Sequence, residues 1–190
     1  MARWEPDARL RLLHAALDLF TEQGYDQTTV VQIAERAGLT KSTFFRHFAD
    51  KREVLAAGQD TLCRLLADGI AAAPSSATPL EAVIAALDAA TEIFTPDKRE
   101  LGPRIEAVIA ANRELQERDA LKSVGLATAM TEALQKRGVP DPTASLAAEL
   151  SVLAFKRAFA RWTDPTNQQP FAALTRQSLD ELLTATASLR

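Results

Sequence analysis

A chain of 190 residues, 47% hydrophobic and 25% charged, is long enough to bury a substantial core in one or two domains. Its 22 basic and 25 acidic side chains leave a net charge of −3, which excludes a histone-like surface that binds nucleic acid all over and still permits a local basic patch. The longest run without Asp, Glu, Lys or Arg, Gly69 to Leu80, is 12 residues and contains Pro74 and Pro79, so no segment reads as a membrane span; the opening residues lack an apolar signal core, and a soluble, cytoplasmic chain is expected.

Helical periodicity begins early. From Pro6 to Gln23 the apolar residues Leu10, Leu13, Leu17 and Phe20 recur at three- and four-residue steps, and Gly24 follows as a stop. Thr29 with Gln32 three residues on forms a capping box for a short second helix whose apolar face is Val30, Ile33, Ala34 and Ala37; Gly38 suits its left-handed end. Thr40 is placed to cap a third helix, Lys41 to Phe48, and Asp50 a long fourth helix running toward Ala73. The segment from Ala73 to Pro79 reads as a loop. Further helices are expected at Leu80 to Phe94, Lys98 to Asn112 and Glu114 to Lys136, and, after the break from Gly138 to Pro142, at Thr143 to Thr163 and Phe171 to Ser188. The expectation is an all-α chain of about nine helices. A three-helix head (1–52) would continue through the fourth helix into a larger helical domain (53–190).

Scarce residues exclude several chemistries. The one Cys63 and the two histidines, His14 and His47, give no metal-ligand spacing, so no metal or cofactor is expected. The seven glycines lie too far apart for either phosphate-cradling fingerprint. No catalytic residue is assigned, and the chain does not read as an enzyme. Cys63, between Leu62 and Leu65, reads as an inert thiol.

The second and third helices are the informative part. Two short helices joined by a Gly-containing turn make a helix-turn-helix, in which the second helix enters the major groove. On that helix Phe44 and Phe48 point to the core, while Arg46 and Ser42 share another side. Between Arg36 and Arg52 stand five basic residues against Asp50, a local charge of +4 within a first 58 residues whose charges sum to zero.

The run from Tyr25 to Lys51, with Thr28, Thr29, Val30, Ile33, Ala34, Ala37, Gly38, Leu39 and the stretch Thr40 to Phe48, followed by Val54 and Leu55, resembles the TetR family of bacterial transcriptional regulators. The resemblance implies that Thr29 and Thr40 hold backbone phosphates, that Lys41, Ser42, Thr43 and Arg46 face the groove, and that His47 and Lys51 touch phosphate. Arg46 is the first choice for a base contact, because a guanidinium grips a guanine edge bidentately. Phe45 departs from the family's usual Tyr, and Ser42 from its frequent Gly; Phe45 can instead pack on a thymine methyl.

The family also implies a second domain that binds a small-molecule effector and dimerises. Helix position suggests Leu66, Phe94, Ile105, Ile109, Leu126 and Met130 as effector-binding residues. Only five of the 11 aromatics lie beyond residue 50, so aliphatic walls suited to an alkyl or acyl ligand are expected. The stretch from Ala110 to Arg118, with the pattern through Gly138 to Pro142, is similar to a TetR subgroup that binds acyl-coenzyme-A-like ligands. Arg104, Arg113, Arg118 and Lys122 either receive an acidic headgroup or are ordinary solvated charges. The last two helices, with Ala147, Ala154 and Ala158 allowing close approach, are expected to pair with a second copy. The expected partners are thus a double-stranded DNA operator, a small-molecule effector and a second copy, without a membrane. The expected function is a ligand-responsive regulator, read as a repressor; the alternatives are a helical ligand-binding or scaffold protein that does not read DNA and, less favoured, an enzyme on a helical scaffold.

Overall fold

The computed structural model describes residues 8–56 and 58–189. Among them are nine α-helices: α1 Ala8–Gln23, α2 Val30–Arg36, α3 Lys41–His47, α4 Gln59–Ala72, α5 Pro79–Thr91, α6 Pro96–Ala110, α7 Arg113–Lys136, α8 Asp141–Thr163 and α9 Phe171–Ala187. The expected start of the first helix, at Pro6, lies outside the described residues. Several later helices begin earlier than expected because Pro79, Pro96 and Pro142 sit in first turns, where a missing N–H breaks no helical bond.

The fourth helix is the main correction. It was expected from Asp50, but Lys51–Ala56 forms turns and α4 starts at Gln59. Asp50 does cap, accepting from the backbone N–H of Arg52 (2.8 Å) and Glu53 (3.2 Å), yet what it caps is only a turn. Gly58, with φ 98°, then turns the backbone out of the right-handed helical region, and its carbonyl accepts the first bond of α4 from Leu62 at 2.9 Å. No single helix joins α3 to α4.

The chain forms two compact units. One takes the described residues up to 56 together with Arg104–Asp119; the other takes Gly58–Pro103 and residues 120–189. The units part near 57–58 rather than 52/53, and the smaller one also includes the end of α6 and the start of α7.

In the smaller unit α1 packs on α2 and α2 on α3. Leu12, Leu17, Ile33, Phe44 and Val54 are fully buried there. In the larger unit α4 lies along α5 and α8 along α9, with α5 also meeting α8 and α9. Small residues set these spacings: a Cβ at Gly69 would meet Ala86 Cα at 2.7 Å. The core of this unit includes Leu66, Ile70, Val83, Leu126, Met130 and Leu179. Beside it Phe94, Phe155, Phe159, Trp162 and Phe171 stack in one cluster, with ring centroids 4.8 to 6.1 Å apart. Counting aromatics shows that they are few; it does not show that they gather. No described helix is long and apolar enough to cross a membrane.

Candidate nucleic-acid interface

The candidate surface on α2 and α3 is built by local hydrogen bonds. Thr29 closes the expected capping box: its hydroxyl accepts from Gln32 N at 3.3 Å, and the Gln32 side chain accepts from Thr29 N at 2.8 Å. The far end of α2 is closed by Gly38 (φ 66°), where Gly38 N donates to Glu35 O at 2.9 Å and Leu39 N to Ala34 O at 2.8 Å. The Arg11 guanidinium of α1 donates to Ala37 O at this turn. Thr40 then caps α3, accepting from Thr43 N at 3.1 Å.

These caps fix the rotation of α3. Phe44 (0% exposed) and Phe48 (4%) face the core, with centroids 5.6 Å apart. Lys41, Ser42, Phe45 and Arg46 consequently form an exposed outer face. Phe45 is 49% exposed, a large apolar ring held in solvent, with the Lys41 ammonium 5.8 Å from its centroid. Thr43 is half-buried. His47 is also half-buried, and its Nε2 has no hydrogen-bond partner among the described residues.

The five cations of the basic run divide into two groups. Arg36 forms a two-pronged pair with Glu22, at 2.9 and 2.7 Å, which raises the arginine and lowers the carboxyl from their ordinary values. Arg52 pairs with Asp50, its Nε at 2.9 Å, and with Glu114 at 3.4 Å; the guanidinium holds the Asp50 carboxyl below the usual range. The Lys51 ammonium turns inward, donating to Tyr25 O (2.8 Å) and Thr28 O (3.2 Å), with Asp26 O at 3.5 Å, and lies 4.1 Å from the Tyr25 ring centroid. Burial pushes the Tyr25 phenol up to about 12. Among the described residues neither Lys41 nor Arg46 has an acidic partner. The cationic charge available to a phosphate or a base is therefore concentrated on α3.

The expected effector residues fall into two groups. Leu66, Leu126 and Met130 share one core, with Phe94 in the aromatic cluster beside it. Ile105 and Ile109, half-buried on α6, belong to the smaller unit. Three of the candidate headgroup arginines have carboxylate partners: Arg104 with Asp18, Arg113 with Glu117 at 3.1 Å, and Arg118 with Glu53. These pairs favour the ordinary-charge reading. Cys63 is half-buried, and burial raises its thiol, which disfavours the reactive thiolate. Two features were missed in the sequence: the inward turn of Lys51, and the joining of 104–119 to the first unit. The only sequence signal for the second was the run of charges between Arg104 and Asp119, of which Arg104, Glu114 and Arg118 have partners far away along the chain.

Residues 12–57 match the family model described as bacterial regulatory proteins, tetR family. Among curated proteins, the transcriptional regulator TcmR of Streptomyces glaucescens is 40% identical over 81 residues, 43% of this chain and 36% of TcmR. SrpR of Pseudomonas putida is 43% identical over 51 residues, covering 27% of this chain and 24% of SrpR. The matched stretches thus span well under two thirds of these relatives, which are transcriptional regulators rather than enzymes. Over the whole chain the fold is similar to that of a TetR-family regulator from Syntrophomonas wolfei (TM-score 0.61, 17% identity, 94% of both chains). It is also similar to SmeT in its triclosan complex (TM-score 0.59, 23% identity, 93% of this chain and 90% of that one).

Proposed function

We propose, from the match of residues 12–57 to the tetR family of bacterial regulatory proteins and the partial matches to curated transcriptional regulators, that the chain is a DNA-binding transcriptional regulator of that family, a repressor released from its operator by a small-molecule effector. The observation that carries this reading is the outer face of α3. Lys41 and Arg46, without acidic partners among the described residues, flank the exposed Phe45, while Phe44 and Phe48 anchor the helix from behind. A helix that presents cations and one apolar ring, seated on a capped partner helix, suits a major groove: Arg46 toward a guanine edge, Phe45 toward a thymine methyl, Ser42 and Thr43 beside them. Thr29, Thr40 and His47 border this face and serve phosphate contacts in the proposal.

The test is a gel shift with a duplex from the region upstream of the protein's own gene. Wild type forms a salt-sensitive complex, and Arg46→Ala weakens it and relaxes sequence preference. Equal affinity of the two proteins at fixed salt would sink the assignment.

A single α3 contacts few bases, so the proposal includes a homodimer, whose twofold axis would set two such helices about 34 to 36 Å apart along the duplex. Within the larger unit Leu146 (58% exposed) and Leu153 (46%) stand seven residues apart on α8, an apolar stripe that supports pairing through the last two helices. A Leu153→Asp chain that runs as a monomer in sedimentation would agree.

For the effector we keep the core around Leu66, Leu126 and Met130, whose apolar character suits an alkyl or acyl group; mass spectrometry of a copurifying small molecule tests it. Its signal has a route other than tilting a continuous fourth helix. Residues 104–119 belong to the DNA-reading unit, tied there by Arg104–Asp18, Arg118–Glu53 and Arg52–Glu114, and they continue covalently into the rest of α6 and α7. The effector must bind two arrangements of these helices unequally.

A further inference from the structure

Lys51 stands just after α3 in the position that the family resemblance assigns to phosphate, yet its ammonium is occupied elsewhere. An ammonium has three N–H donors and no more. Those of Lys51 face Tyr25 O, Thr28 O and, at longer range, Asp26 O, with the Tyr25 ring against the charge. Tyr25 itself is buried (5% exposed) against Phe20, with centroids 5.1 Å apart. The three carbonyls belong to the turn that leads into α2, whereas Lys51 belongs to the segment that leaves α3. One side chain thus closes a ring that contains the whole helix-turn-helix.

Resting on the regulator reading above, we propose that Lys51 is a positioning residue and not a phosphate contact: it staples the exit of α3 to the entry of α2 and so sets the pitch at which Phe45 and Arg46 meet the bases. Without it the Tyr25 and Thr28 carbonyls lose their cationic donor, and α3 keeps its own cap but loses its fixed angle to α2. Sequence discrimination suffers, while the number of phosphates neutralised stays the same.

The experiment compares wild type, Lys51→Met, Lys51→Arg and Lys41→Met as full chains. Two probes are used: the tightest duplex that wild type selects from a random-sequence pool, and poly(dI-dC) over a salt series. Lys51→Met is expected to lose about tenfold of the preference for the selected duplex, on the scale of one base contact, with the wild-type salt slope on poly(dI-dC). Lys41→Met reduces that slope by about one unit. Hydrogen exchange of the amides from Tyr25 to Thr29 speeds up in Lys51→Met, a readout independent of DNA.

Lys51→Arg, which keeps the charge but replaces a compact ammonium by a planar fork, carries the test if Lys51→Met fails to fold. It too loses preference if the residue positions α3, and binds like wild type if the residue merely touches phosphate. A lower salt slope for Lys51→Met with preference intact overturns the proposal, as does wild-type behaviour of Lys51→Arg. No salt-dependent binding by wild type would instead overturn the regulator reading, and this inference with it; unchanged exchange at Tyr25 to Thr29 overturns the staple alone.

Discussion

The two compact units hold their helices by different means. In the smaller one α2 and α3 are seven residues each and bury only Ile33, Ala34 and Phe44 as helix residues. Helices so short have little stability of their own; the caps at Thr29 and Thr40, Arg11 on the Ala37 carbonyl and Lys51 on the α1–α2 turn fix their geometry. In the larger unit α8 alone buries Ala144, Ala148, Ser151, Val152, Ala154, Ala158, Trp162 and Thr163. Three of its buried hydroxyls bond their own helix, Ser151 to Ala147 O, Thr163 to Phe159 O and Thr175 to Phe171 O, while Ser178 Oγ has no partner among the described residues. The smaller unit can therefore expose one whole face of α3 because polar contacts and a few aromatic anchors hold the other. The larger one depends on broad, close-packed contact.

The sharpest way to break this contrast is to cut two adjacent phenylalanines. Phe44→Ala should cost about 3–5 kcal/mol of stability through the cavity it leaves, read as a lowered urea midpoint of the smaller unit. Phe45→Ala should change stability by no more than about 0.5 kcal/mol while weakening DNA binding. Equal destabilisation by the two would mean that α3 is rotated from the orientation described.

The larger unit is tested next, at its glycines. Gly69→Ala drives a methyl group into Ala86 backbone, so it should cost about 1–3 kcal/mol in spite of alanine's better helix propensity. At Gly125 the added Cβ meets only the end of the Gln59 side chain, at 3.2 Å, which can move aside. Gly125→Ala should be neutral or stabilising by less than about 1 kcal/mol. Thermal unfolding of both variants separates close approach from propensity. Of comparable size, but read in DNA binding, Arg46→Ala should lose about 1–3 kcal/mol of discrimination between the selected duplex and one altered at the contacted base pair. Its unfolding midpoint should stay put, because no bond to Arg46 holds the fold among the described residues.

The contrast also explains what was legible in the sequence. The caps at Thr29 and Thr40, the turn at Gly38 and the inward Phe44 and Phe48 are local, spacing-dependent features, so they could be read from neighbours along the chain. Asp50 misled because a cap signals the start of a turn without saying how long it will run; Gly58, eight residues on, decided where α4 begins. The charge count between Arg36 and Arg52 was right as arithmetic. It could not show that Glu22 and Glu114 would answer two of those charges, since these partners are 14 and 62 positions away. The aromatic cluster and the joining of 104–119 to the first unit have the same origin, in contacts between segments that no periodicity links.

The smallest predicted effect concerns ionisation, where the smaller unit again differs from the larger. Glu81, Asp164 and Glu181 of the larger unit are all held below the usual carboxylate range, by Thr78, Thr166 and Arg161 respectively. Each contributes stability above its unfolded pKa and loses it as pH falls through the folded one. The smaller unit mixes both directions. Asp50 is lowered by Arg52, whereas Glu106 is raised, by burial first and then by the nearby negative charge of Asp119. The contribution of Glu106 is present below the ordinary glutamate range and disappears as pH rises through its folded value, so at neutral pH its charge works against the fold. Glu106 is itself exposed, so solvent screens the effect, and Glu106→Gln should raise the urea midpoint only slightly at neutral pH, by no more than about 0.5 kcal/mol, with the gain vanishing once the medium is acid enough to protonate glutamate in the unfolded chain. Asp50→Asn should show the opposite: a loss at neutral pH and none in acid. A Glu106→Gln gain of the same size at both pH values would trace the effect to packing around the amide, and the two units would then respond to acid alike.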